Sequence, residues 1–361
     1  MAITQSKAVS LNQRIEEFLL SRGAIKVGFA TVETLDGGPP SVDLSYKLPG
    51  AKSAVSFAFP LNKDYIRPFL AKEDRSSHEK DDADAFAYTK ALSWECADML
   101  SEEGYPSKGT TANLKYRTEI EGWEKGQYPD ISHRYIAVRS GVGSFGWSGN
   151  VGIKGFGTTI MLGTIITTAE LEATDAIPEG EGFCDKCKIC VASCATEMFD
   201  KEKSTTVTIG GVDFTYSARR NLSRCFMCCG GATGLHKSGK WSTWSPGRMI
   251  LPEGDSDEEL DPVYRQAIEK QKKRPPMPGG AKSTLKLHSQ PDRVLPKVVL
   301  TCGNCQLICW GDKVETAKNL KILRQSGCVV QRPDGSIEAL PPEEAEAEFN
   351  KMDPEHREAY C

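Results

Sequence analysis

Ten cysteines in three short runs constrain this chain more than any other feature. Cys184, Cys187, Cys190 and Cys194 form the first run, Cys225, Cys228 and Cys229 the second, and Cys302, Cys305 and Cys309 the third. The spacing Cys184-x2-Cys187-x2-Cys190-x3-Cys194 matches bacterial ferredoxins, where three thiolates hold one [4Fe–4S] cubane and the fourth crosses to a second. Two-residue spacers wrap a tight loop around a cluster. The three-residue spacer turns the chain into a helix and aims the last thiolate away. Cys302-x2-Cys305-x3-Cys309 follows the same logic but is one thiol short. The spacing therefore predicts two [4Fe–4S] clusters. The first takes Cys184, Cys187, Cys190 and Cys309. The second takes Cys194, Cys302, Cys305 and one of Cys225, Cys228 or Cys229. Such runs usually end in Cys-Pro, whereas Ala195 and Trp310 stand there in this chain. Zinc is the competing metal, but structural zinc sites prefer two separated pairs, which Cys302/Cys305 with Cys225/Cys228 would supply.

The remaining three thiols, Cys96, Cys328 and Cys361, stand alone in a total of 13. A set this large and clustered points to metal binding in a reducing compartment more than to disulfides. The N-terminal stretch shows no basic segment followed by an apolar one and no twin-Arg pair. No apolar run approaches the roughly 18 residues that span a bilayer. These features predict a cytoplasmic protein without a membrane segment. A net charge of −4 argues against a nucleic-acid partner.

The 39% hydrophobic content suffices for two domains, or for one with a large appendage. Ser10 to Leu20 reads as an amphipathic helix with Ser10 and Gln13 in a capping-box pattern, stopped at Gly23. Ile25/Val27/Phe29 and Val55/Phe57/Phe59 alternate as strands do. Asp81 to Glu103 reads as a long helix with Tyr88, Leu92, Cys96 and Met99 inward, which makes Cys96 a core residue. Thr158 to Thr168 is a β-like run. Gly210-Gly211 joins two strands as a hairpin. A helix is expected from Asp261 as cap with Pro262 first, broken by Pro275–Gly280.

The Gly-rich segment Ser140–Asn150, the run Phe156–Thr168, Glu170-Leu171, the ferredoxin run, Arg224-Cys225 and Cys302-Gly-Asn-Cys-Gln-Leu-Ile-Cys309 come in a recognisable order. In this the chain resembles the epoxyqueuosine reductase and reductive dehalogenase superfamily, over roughly residues 10–235 and 298–330. The resemblance implies a mixed α/β (α+β) architecture. Residues 1–175 would form a nitroreductase-like domain that binds base-off cobalamin. Residues 176–235 and 298–330 would form the ferredoxin-like two-cluster module. Residues 236–297 would be an insertion able to act as a substrate lid, and 331–361 an acidic tail. It also favours Cys225 as the eighth ligand, with Cys228 and Cys229 as neighbours of unknown role.

On this resemblance, Ser140, Gly141, Gly143, Gly146, Trp147, Gly149 and Asn150 would approach the corrin, because glycines let backbone come close to a bulky ligand. A mere turn is the plainer reading of those glycines. Reduction also needs a general acid. The segment Tyr128–Tyr135 offers Asp130, His133 and Tyr135, with Arg134 as a further alternative; the plain reading is a polar turn capped by Ser132. The leading functional expectation is a cobalamin-dependent iron–sulfur reductase acting on a small molecule, with reduced ferredoxin or flavodoxin as electron donor. An electron carrier or reductive activator of a corrinoid protein is the alternative. Reduction of tRNA epoxyqueuosine is less favoured, since Pro341–Phe349 is acidic and meets phosphates poorly. Trp241, Trp244 and His236 could line a pocket, although Trp at such places more often packs.

Overall fold

Strand residues of residues 26–60 and 160–167 build the sheet on which the rest is mounted. The computed structural model describes residues 9–110, 115–123, 127–283 and 299–361. The first helix, α1 (Leu11–Leu20), is capped by the Ser10 side chain, which accepts from the Gln13 N–H. It leads into β1 (Lys26–Thr31) and β2 (Ser53–Pro60). Then come α2 (Lys63–Ala71), α3 (Ser76–Glu102) and β3 (Ser107–Gly109). After α4 (His133–Arg139), the short pair β4 (Ser144–Phe145) and β5 (Val151–Gly152) precedes β6 (Ile160–Thr167). The main sheet has the order β1-β2-β6-β3, with every pairing antiparallel.

Both faces of this sheet are covered, which is why β2 is buried continuously from Ser53 to Ala58 and not at alternate residues. Phe29, Val55, Phe57 and Ile165 pack on one face against Ile15 and Leu19 of α1 and Leu92, Cys96 and Leu100 of α3. Ala30, Ala54 and Ile166 pack on the other against Leu44 and Ile136. Cys96 is fully buried, as the sequence predicts for a core thiol.

The cysteine-rich half begins with the short α5 (Ile189–Ala192) and the hairpin β7 (Phe199–Ile209) and β8 (Val212–Arg219). Its turn is Gly210-Gly211, with φ of 56° and 75°, the doubly left-handed geometry of a tight two-residue turn. The helix α6 (Ser223–Cys229) carries the second cysteine run. α7 (Asp257–Lys272), α8 (Asn304–Leu307) and α9 (Lys313–Gln325) follow. The chain continues with β9 (Cys328–Gln331), β10 (Ile337–Leu340), α10 (Pro342–Lys351) and α11 (Pro354–Glu358). This is a mixed architecture of helices and antiparallel sheets. Among the described residues no helix is long and apolar enough to cross a membrane.

Several expectations are corrected. α3 begins at Ser76, not Asp81. α7 is capped by Ser256, which forms a capping box with Glu259, so Asp261 is no cap and Pro262 lies inside the helix. The helix starts where its reciprocal cap satisfies two orphan N–H groups, ahead of the proline. Residues 331–361, expected as an acidic tail, fold into β10, α10 and α11, and Phe349 and Tyr360 are buried. Within 236–297, Trp241 and Trp244 are buried against Phe69, Leu307 and Ile308. The Trp244 indole N–H donates to the Phe69 carbonyl at 3.0 Å. That part is core wall and not lid; residues 284–297 lie outside the described residues.

Candidate metal centres

The cysteines gather into two groups. Cys184, Cys187, Cys190 and Cys309 wall a cavity of about 300 Å³ together with Gly146, Trp147 and Phe183. The loop that carries the first three thiols is wound by Lys186 and Lys188, both left-handed, at φ 58° and 59°. Successive turns of this kind aim backbone N–H groups inward, the arrangement that favours anionic sulfur. The N–H groups of Trp147 and Lys186 both donate to the Cys184 sulfur at 3.4 Å.

Cys309 reaches this loop from far along the chain because β6 and its preceding turn hold it. The Thr158 N–H donates to the Cys309 carbonyl at 2.9 Å. The Gln306 amide donates to the Ile160 carbonyl at 3.0 Å. Gly157, at φ 66°, is required here, since a Cβ would lie 2.2 Å from the Cys309 carbonyl oxygen.

The second group joins Cys194, Cys225, Cys302 and Cys305. The Cys305 thiol faces Cys302, Cys194 and Cys225. Asn304 bridges the two halves of the module by donating to the Ser193 carbonyl at 3.3 Å. The Met198 N–H donates to the Cys194 sulfur at 3.3 Å. Val191, Met198 and Phe199 form an apolar shell that touches Cys190, Cys194, Cys225, Cys305 and Trp147. Cys228 and Cys229 extend this group, as both face Cys302. Among the described residues, no three His, Cys, Asp or Glu side chains converge at the distance that chelates one ion.

Burial dominates the thiol chemistry. It pushes Cys190 and Cys305 up to about 12, with neighbouring thiols adding to the rise, and Cys187 up to about 11. Hydrogen bonds from the Cys228 and Cys229 thiols hold Cys302 well below the usual thiol range.

The arginines of this site carry no sequence motif, and the sequence reading does not give them a role at the clusters. Arg134 is half-buried on α4 beside Cys305 and Arg219, and donates to the Gly149 carbonyl at 3.1 Å. Arg219, on β8, donates to the Ser148 carbonyl at 2.9 Å and lies beside Cys225. Three buried polar atoms near this wall have no partner: Asn150 Nδ2, Ser217 Oγ and Arg219 Nε. Asn150 stands against the Cys305 thiol.

The Gly-rich stretch is packed by protein. A Cβ on Gly141 would meet the Asp175 carbonyl oxygen at 2.2 Å, and one on Gly143 the Gly152 carbonyl oxygen at 2.7 Å. On Gly146 it would meet the Phe183 ring at 2.9 Å, and on Gly149 the Arg219 guanidinium at 2.6 Å. Ser140 is buried, and its hydroxyl donates to the Ile136 carbonyl at 2.7 Å. Gly146 and Trp147 open onto the first thiol cavity, and Asn150 onto the second group. The seven residues expected at a corrin thus have contacts that belong to the protein and its thiol groups.

The three acid candidates separate. Asp130 is buried and ion-paired with Lys47. The His133 Nδ1 lies 2.8 Å from the Thr164 hydroxyl, while its Nε2 has no partner. Burial drops the imidazole to about 4, so the ring is neutral. His133 borders a cavity of about 10 Å³ with Thr89, Thr110 and Met161. Two residues on in the helix, Tyr135 points elsewhere. Its hydroxyl lies 3.2 Å from that of Tyr216. Burial pushes Tyr135 up to about 12.

No protein-family model matches this sequence, and no curated protein matches it. Solved structures do. An epoxyqueuosine reductase from Streptococcus thermophilus is 16% identical with a TM-score of 0.41, over 87% of this chain and 80% of that one. A catabolic reductive dehalogenase is 13% identical with a TM-score of 0.47, over 73% of this chain and 36% of that one. An epoxyqueuosine reductase solved with a tRNA-Tyr stem loop is 17% identical with a TM-score of 0.35. For that one the match spans about half of each chain, 52%. These are the two families whose motif order the sequence resembles. At such overlap the likeness by itself assigns no activity.

Proposed function

We propose that this chain is an iron–sulfur oxidoreductase that holds two [4Fe–4S] clusters and reduces a small molecule. One observation carries the reading: eight thiols from three distant stretches meet as two groups, the first around a cavity. Cys184, Cys187, Cys190 and Cys309 would hold the first cluster, and Cys194, Cys225, Cys302 and Cys305 the second. Bound there, the clusters supply one-electron transfer at low potential.

The chain's own residues suit that task. The shell of Val191, Met198 and Phe199 excludes water. The N–H bonds to Cys184 and Cys194 offset the negative charge on sulfur. The donors of Asn150 and Arg219, beside Cys305 and Cys225, have the chemistry to serve anionic sulfur at the second group. The Tyr135–Tyr216 pair beside Arg134 and Arg219 is a proton source next to that group. It suits proton supply better than Asp130, whose carboxylate is occupied by Lys47, or His133, whose ring stays neutral.

Cobalamin is implied by the resemblance alone. Reduced ferredoxin or flavodoxin is the donor class that matches low-potential clusters. Anaerobic purification with iron, sulfide and cobalt analysis tests the whole reading. Two cubanes give about eight irons per chain. Zinc in place of iron ends the proposal. Stoichiometric cobalt would establish a corrin as a further centre of the protein.

A further inference from the structure

Four lysines border the first thiol cavity at positions that local physics does not favour. Lys186 and Lys188 hold left-handed backbone, which a residue with a Cβ adopts only at a cost. Lys63 is the first residue of α2 and Lys313 the first of α9, where the helix dipole disfavours a cation. Lys188 and Lys313 line the cavity itself, and Lys186 is exposed in the thiol loop. The Lys188 ammonium stands 4.8 Å from the centre of the Trp147 ring. The Lys63 ammonium donates to the Gly155 carbonyl at 2.9 Å and stands 5.2 Å from the centre of the Trp310 ring, the residue after Cys309. Among the described residues none of the four forms an ion pair. Asp185 and Asp312 line the same cavity and Glu315 faces Lys63, but the protein engages all three. Asp185 accepts the Cys187 N–H at 3.1 Å, Asp312 accepts the Glu315 N–H at 2.8 Å, and Glu315 pairs with Arg67 and Lys318.

The two helices that begin with these lysines are locked together. Arg67 of α2 donates to the Asn319 side chain of α9 at 3.0 Å and lies 4.3 Å from the centre of the Trp310 ring. Each helix also exposes an apolar side chain in its first turn, Tyr65 at 40% and Val314 at 62%. Apolar contact area beside charge is the make-up of a small, transient interface. The whole chain carries a net charge of −4, so an acidic macromolecule is repelled on average and drawn only to a local cationic rim. Resting on the two-cluster reading above, we propose that this lysine rim docks a small acidic electron-transfer protein, which delivers its electrons to the first cluster. In each encounter the carrier is oxidised by one electron and the first cluster is reduced by one; no bond forms or breaks and no proton moves. The placement favours an electron carrier over a nucleic acid, because the lysines border the thiol cavity itself, where close approach serves electron transfer.

Anaerobic stopped-flow reduction of the iron-loaded full chain tests this. One reductant is a reduced bacterial ferredoxin of strongly negative net charge, the other reduced methyl viologen, a small cation. In the wild type, the second-order rate with ferredoxin should fall at least about tenfold as salt rises from about 0.02 to about 0.3 M. This arm needs no variant. Lys63→Glu with Lys313→Glu reverses two charges outside the thiol loops. Lys26→Glu with Lys273→Glu makes the same change in net charge at exposed lysines elsewhere. At low salt the first pair should slow ferredoxin at least about tenfold and lose most of the salt dependence, while the second pair stays within about twofold of wild type. Viologen should reduce both variants at least as fast as the wild type. Equal ferredoxin rates in the two variants, a wild-type rate insensitive to salt, no reduction by ferredoxin, or a matching loss with viologen would each overturn the proposal. So would an RNA stem loop whose binding the first pair abolishes while ferredoxin reduction is unmoved. A native protein with no bound iron would instead defeat the two-cluster reading itself.

Discussion

At the scale of single residues, the thiols were legible and the groups around them were not. Cysteine spacing is a covalent fact of the chain, so Cys184 to Cys194 could be read directly. Arg134 and Arg219 reach the second group only through the packing of α4 and β8, which no local pattern encodes. Gly157 belongs to the same class. Gly157→Ala would press a Cβ onto the Cys309 carbonyl oxygen and strain a left-handed backbone. The variant is expected to lose more than about 1 kcal/mol of stability. It should also lose iron from the first cluster while retaining the second, measured by iron content and thermal unfolding.

His133 gives a pH prediction. Its folded value of about 4 reflects burial first, with Asp130 raising and Lys47 lowering it. A free imidazole titrates near about 6.5. The folded chain thus favours the neutral ring. The stability this contributes is complete above about pH 6.5 and is lost as the pH falls from there towards about 4. At about pH 5 the loss is on the order of 2 kcal/mol. Urea unfolding of wild type and His133→Asn, compared between about pH 7.5 and about pH 5, should show the steeper loss in wild type. Equal losses in both would remove His133 as the cause.

At the scale of elements, capping and composition account for the expectations that moved. The Pro rule placed the start of α7 at Asp261, but Ser256 and Glu259 already carried a capping-box signature that outranked it. Acidic composition hid α10 and α11, although Ala345 and Phe349 of α10, and Tyr360 just past α11, are buried. α3 is anchored in a way that sequence could not show. The Glu79 carboxylate, nearly fully buried, pairs with Arg75 at 3.0 Å and accepts N–H bonds from Gly280 and Leu300 at 2.9 Å each. Glu79→Ala leaves the Arg75 guanidinium buried without its carboxylate. Breaking such a pair costs about 3 kcal/mol or more, to be read from denaturant midpoints. A shift below about 1 kcal/mol would mean that Arg75 is rehydrated on losing its partner.

β8 brings a cation to the second thiol group. Arg219→Gln removes positive charge beside Cys225 and should lower the reduction potential of that cluster alone. An EPR-monitored redox titration reads this directly. An unmoved second signal, or an equal shift in both, would take Arg219 out of the electrostatics of the site.

At the scale of the molecule, the cores divide by their dependence on metal. The sheet core draws on residues from Leu11 to Leu171, and its only thiol is Cys96. The apolar shell of the thiol groups instead includes Cys190, Cys194, Cys225 and Cys305. Metal binding is folding free energy wherever a site has no stable form without it. Removing iron should therefore loosen one part of the protein and spare the other. Hydrogen exchange after anaerobic chelation should keep amides of β2 and β6 protected. Amides in 184–198 and 302–309 should exchange faster by orders of magnitude, since their bonds to sulfur lose their purpose with the metal. The Gln306 amide bond to Ile160 and the Thr158 bond to Cys309 are where the two regimes meet. If protection at β6 falls together with that of the thiol loops, these bonds couple the cores into one cooperative unit. If β6 holds, the sheet is a rigid platform on which the metal centres fold.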